Sequence, residues 1–171
     1  TVAVQTIDSE VDESSFDPHV WLNPLKAQLQ AQRILAALIA ADPDGSTEYE
    51  RNASVLEDDL QALDDRISTR LSSCDLASVV VSHLAFGHMA ERYEFHQIGL
   101  SGLSPEFESG PSHLAGVIEQ MNALGVRYIL QEPIIRNRLA KTVAAETGAK
   151  LLDLHPLEVR TPSEASAGKD Y

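Results

Sequence analysis

Leu56, Leu60, Leu63, Ile67 and Leu71 recur at spacings of four, three, four and four, and the positions between them are mostly polar. That period predicts one long helix, of about 25 residues from Ser46 or Thr47, with a single apolar stripe. Before it, Leu25, Leu29, Leu35, Leu38 and Ile39 mark another helix. Asn23 can cap its start with Pro24 at the first helical position, and Asp42-Pro43-Asp44-Gly45 stops it. After Cys74 the pattern changes. Short apolar runs predict strands near Ser78–Val81, Glu94–Ile98, Tyr128–Leu130 and Lys150–Leu154. Helical patterns between them cover Phe86–Tyr93, Ser112–Leu124 and Ile134–Thr147. Gly125 and Gly148 follow the last two, where left-handed caps are expected. Alternating strands and helices with short connections predict an α/β fold with a mostly parallel, doubly wound sheet. At the other end, Val2–Ile7 reads as a short strand and Asp8, Glu10, Asp12 and Glu13 as an exposed acidic loop.

Composition narrows the class. The 171 residues are 43% hydrophobic, enough for a core in one domain or in one lobe and part of another. No apolar run approaches membrane-spanning length and no signal-peptide pattern is present. The start at Thr1 rather than Met reads as a processed or partial chain. A formal net charge of −13 argues against nucleic acid, because phosphate binding requires Lys and Arg. Cys74 is the single cysteine, so there is no internal disulfide and no Cys-based zinc site. Its place between helix and strand predicts a buried bystander thiol.

Three of the six histidines stand where a chelating site would put them. His19 lies in Asp17-Pro18-His19-Val20-Trp21-Leu22-Asn23-Pro24, His83 directly follows the Val79-Val80-Val81 run and Ser82, and His155 follows the run from Leu151. The last two follow strands at their carboxyl ends, where open α/β sheets keep ligands. Neutral imidazole is a common ligand for borderline transition metals. Two of them have a plainer alternative: His19 as a helix-start histidine packed beside Trp21, His83 as a polar residue near a helix N-terminus. Glu132, between the Ile129-Leu130 strand and Pro133, could orient a ligand imidazole or hold its own loop. His88, His96 and His113 read as ordinary residues, and Asp153 falls on the opposite sheet face.

An ordered set of fragments carries a family resemblance. It comprises D-P-H-V-W-L-N-P (17–24), S-H-L-A-F-G-H-M-A-E-R-Y (82–93), Ile98-Gly99-Leu100-Ser101 with Gly110-Pro111-Ser112, Ile129-Leu130-Gln131-Glu132-Pro133, and Glu146-Thr147-Gly148-Ala149-Lys150 running into Leu154-His155-Pro156-Leu157. The chain resembles the extracytoplasmic solute-binding receptors of ABC importers for zinc and manganese, the zinc receptors most of all. The resemblance implies two α/β lobes joined by one long rigid helix with metal between them. On that pattern residues 1–41 are the end of the N-terminal lobe, 42–74 the bridging helix region and 75–171 the C-terminal α/β lobe. It implies that His19 and His83 are the second and third ligands, that His155 stands at the fourth, and that a first histidine lies upstream of Thr1. The family often has Asp at the fourth position. Imidazole there makes the site softer and favours Zn(II) over Mn(II).

The resemblance further implies a monomeric metal receptor, not an enzyme, in a periplasm or lipid-anchored at the cell surface like the related adhesion lipoproteins. Its partners would be the metal ion and a membrane permease. A manganese receptor of the same family is the nearest alternative. A zinc hydrolase is the alternative from another class, with Glu132 as its only candidate base. A purely structural or adhesive domain is the third. No G-x-S-x-G elbow, phosphate-binding Gly-rich loop or H-E-x-x-H helix is present.

Overall fold

The computed structural model describes residues 16–75, 77–104, 109–133 and 138–168. The expected strand at Val2–Ile7 and the first residues of the helix expected from Ile134 lie outside them. The chain divides into two compact units, one formed by His19–Asp75 with His88–Glu94, the other by the remainder.

The first unit is helical. Asn23 starts α1 (Pro24–Ala41) by accepting from the Leu25 and Lys26 amides at 3.0 and 3.3 Å, with Pro24 contributing no N–H to satisfy. Pro43 ends α1, and a short 3₁₀ turn over Pro43–Gly45 leads into α2 (Ser46–Leu71). The two helices pack side by side, tied by the Gln28 side-chain amide donating to the Glu57 carbonyl at 3.0 Å. Of the predicted stripe, Leu60 is buried, Leu63, Ile67 and Leu71 are half-buried, and Leu56 is exposed. The deepest residue of α2 is charged. Asp64, 1% exposed, receives Arg92 Nε at 2.9 Å, Arg92 Nη2 at 2.6 Å and the Tyr93 hydroxyl at 2.9 Å. Those partners come from α3 (Gly87–Tyr93), so a buried charge bound on three sides pins α3 to α2.

The second unit is the α/β part. Its sheet has the order β2-β1-β3-β4, with β1 Ser78–Val81, β2 His96–Gly99, β3 Tyr128–Gln131 and β4 Lys150–Asp153, every neighbouring pair parallel. Val80 pairs with Ile98 and Ile129, and Ile129 with Leu151, so one face presents a continuous apolar row. Helices α4 (Pro111–Leu124) and α5 (Arg138–Thr147) close over it with Val117, Met121, Ala140 and Val143. Gly125 ends α4 at φ 67° and Gly148 follows α5 at φ 71°, the left-handed caps expected of them. A last short helix, α6 (Pro162–Ser166), starts in a reciprocal Thr161–Glu164 capping box.

Two expectations need correction. Cys74 is exposed, not buried, because it sits past the end of α2 with its thiol near the Arg70 carbonyl at 3.7 Å. And β2 starts at His96 instead of Glu94, since Glu94 turns the chain out of α3 at φ 58°, a conformation no strand residue adopts.

Candidate metal centre

His83 is placed by the end of β1. Beyond Val81, the Ser82 amide donates to the Leu130 carbonyl at 3.0 Å, while the Ser82 carbonyl accepts from the Ser101 amide at 3.1 Å and the Ser101 hydroxyl at 2.9 Å. The Leu84 amide donates to the Gly102 carbonyl at 2.9 Å. His83 is thus held on both sides by backbone, at the carboxyl edge of the sheet, with 0% of its surface exposed.

Its ring is fixed from one side. Glu132, 4% exposed and just past β3, accepts the Ser82 hydroxyl at 2.8 Å, and the same oxygen bonds His83 Nδ1. A carboxylate beside Nδ1 holds the proton there, so Nε2 carries the lone pair. Nε2 lies 4.0 Å from Glu158 Oε1. That is too long for a hydrogen bond. It is near the separation of about 3.4 Å between two donors on a tetrahedral zinc with bonds of about 2.0–2.1 Å.

Glu158 is the residue that sequence reasoning missed. It follows His155-Pro156-Leu157, and Leu157 adopts φ 61°. The Leu157 amide turns back and donates to His155 Nδ1 at 2.9 Å. No periodicity reports such a turn; the only signal available was a carboxylate three residues beyond His155. The same hydrogen bond bears on His155 itself. With Nδ1 accepting, the proton sits on Nε2, which lies 3.9 Å from Glu164 Oε2 and has no hydrogen-bond partner among the described residues. Nor, among the described residues, does His155 belong to any group of three or more donor side chains spaced to hold a metal.

His19, in the helical unit, precedes the 3₁₀ turn Val20–Leu22 at φ −78° and ψ 39°. It is 3% exposed, and its ring centroid lies 5.5 Å from that of Trp21, tilted by 58°. The other candidates have ordinary surroundings. His88 Nδ1 accepts from Lys26 Nζ at 2.7 Å, His113 Nε2 donates to the Gly99 carbonyl at 2.9 Å, and His96 is exposed. Asp153 accepts from the Gln131 side-chain amide Nε2 at 2.9 Å at the exposed sheet edge.

Buried imidazole with a carboxylate behind it and an oxygen donor ahead is an arrangement able to hold a metal ion. The family described as zinc-uptake complex component A, periplasmic, matches residues 2–171. The chain belongs to that family. It is 35% identical to the zinc-binding protein AdcA of Streptococcus pyogenes serotype M6 over 157 residues, 92% of this chain and 30% of that protein. It is 34% identical to the high-affinity zinc uptake system protein ZnuA of Bacillus subtilis strain 168, over 92% of this chain and 49% of that protein. The chain therefore spans between about a third and a half of the length of these relatives.

Among solved structures, the Zn(II)-bound ZnuA-like domain of Streptococcus pneumoniae AdcA is 35% identical with a TM-score of 0.77, over 94% of this chain and 60% of that one. The laminin-binding protein Lbp of Streptococcus pyogenes is 30% identical with a TM-score of 0.82, over 85% of this chain and 57% of that one. Family and fold thus agree with the family resemblance and the α/β reading of the sequence. The parallel sheet places these side chains at its carboxyl ends: the loop after β1 carries His83, that after β3 Glu132, and that after β4 His155 and Glu158.

Proposed function

We propose that this chain is the metal-holding part of an extracytoplasmic solute-binding receptor that captures Zn(II) and passes it to the permease of an ABC-type importer. Zinc is the cargo. His19 and His83 supply imidazole nitrogen, and Glu158 supplies the oxygen donor that the sequence alone assigned to His155. Glu132 acts behind His83 by holding its proton on Nδ1. His155, with its Nδ1 engaged by the Leu157 amide, shapes the turn that presents Glu158. The observation that carries this reading is the buried Glu132–His83 pair, whose second nitrogen faces a carboxylate. Residues 1–41 as the end of one lobe, 42–74 as a bridging helix and 75–171 as a second lobe belong to the same proposal. So does a location in the periplasm or on a lipid anchor.

Nitrogen donors favour Zn(II) over Mn(II), which prefers more oxygen. A hydrolase would need a base beside a metal-bound water, and the candidate base Glu132 is already bonded to His83 and Ser82. Capture and release need no such base. Calorimetric titration of the protein at its full encoded length tests the reading. Zn(II) should bind more tightly than Mn(II), and His83→Ala should cost about 100-fold or more in zinc affinity, beyond the 10–100-fold typical of lost supporting groups. A preference for Mn(II), or unchanged zinc affinity in His83→Ala, would falsify it.

A further inference from the structure

Gly87 opens α3 four residues after His83, and nothing about its backbone requires glycine. Space does. A Cβ at Gly87 would lie 2.6 Å from Asp17 Oδ2 and 3.3 Å from Gln97 Nε2. Gln97, on β2, also accepts the Phe86 amide at 3.0 Å through Oε1. The peptide entering α3 is thus clasped between a β2 amide side chain and the Asp17 carboxylate. Asp17 is half-buried and lies two residues before His19, with Pro18 between them restricting its backbone to extended conformations.

We propose that Gly87 is the seat of the Asp17 carboxylate, and that this seat is a positioning device for the metal ligands. It fixes the chain two residues before His19 against the turn that leaves His83. The inference rests on the zinc reading above, because it assigns both histidines to the metal. Carbon–oxygen contacts of this kind settle near 3.3–3.6 Å, so a methyl group at position 87 would push Oδ2 back by about 0.7 Å or more. Ligand sites tolerate displacements of about 0.5 Å.

A double-mutant cycle on the protein at its full encoded length tests this, with zinc affinity measured by chelator competition and apo melting temperature measured alongside. Gly87→Ala should weaken zinc by about tenfold, and Asp17→Ala by a similar factor. In the Asp17→Ala background, adding Gly87→Ala should cost less than about twofold, since the group it displaces is gone. Gly110→Ala, where an added Cβ meets nothing within 4 Å, should bind as wild type does. Co(II) loaded into Gly87→Ala should show altered visible bands, which a change confined to stability does not produce. If Gly87→Ala does not fold, the comparison of Asp17→Ala with the double variant still decides: affinity lost in the first and little further in the second supports the seat. Equal cost of Gly87→Ala in both backgrounds, or full affinity in Asp17→Ala, overturns it. Absence of zinc binding by the wild type would instead strike the receptor reading itself.

Discussion

Glu132 and Glu158 are both carboxylates near one imidazole, yet their environments give them different work. Glu132 is buried, and its Oε1 already takes two hydrogens, from Ser82 and from His83. Glu158 is exposed on a turn and faces Nε2. His155, three residues before Glu158, has its Nδ1 committed to the Leu157 amide, and coordinating through Nε2 would require moving a proton against that amide. Glu158→Gln should therefore cost about 100-fold or more in zinc affinity, and His155→Ala tenfold at most through loss of the turn's support. Chelator competition on the two variants reads this directly; the reverse order would return the fourth position to His155. The sequence made His83 and Glu132 legible because each stands one residue beyond an apolar strand run, a place that parallel sheets reserve for ligands. It hid Glu158, whose position depends on a left-handed Leu157 that no residue pattern announces.

Among the elements, the helices and strands were readable from periodicity and punctuation. Asn23-Pro24 starts α1, and Gly125 and Gly148 end α4 and α5, as their conformational preferences require. The stripe on α2 was readable too, but not what lies between its leucines. Asp64 reads as one more polar residue on a solvated face, and only the fold brings Arg92 and Tyr93 of α3 onto it. The Arg92 guanidinium, more than burial opposes it, holds the Asp64 carboxyl below its ordinary value of 3.8. A depressed native value means the pair's contribution to stability is present above pH 3.8 and is lost as pH falls through the lower native value. Asp64→Asn should destabilise the protein at neutral pH by about 2–3 kcal/mol, the lower side of a broken buried pair because Arg92 reaches solvent. The gap between wild type and variant in denaturant unfolding should narrow on acidification below that value. A gap that stays constant down to strongly acidic pH would mean that Asp64 is not charged and paired as described.

At the scale of the whole chain, an acidic surface and a nitrogen-and-oxygen donor set point the same way. The net charge of −13 disfavours nucleic acid and favours cations generally, but it selects no metal. Selection falls to the donors. With Cys74 exposed beyond α2 and no second cysteine in the chain, thiolate plays no part in the account. X-ray absorption spectroscopy of the zinc-loaded protein at its full encoded length tests the central claim most directly. Zinc held by His19, His83 and Glu158 should show a first shell of nitrogen and oxygen at about 2.0–2.1 Å, with the outer-shell scattering of imidazole, weakened by one ring in His83→Ala. A sulfur shell near 2.3 Å, or a spectrum without imidazole scattering, would contradict it.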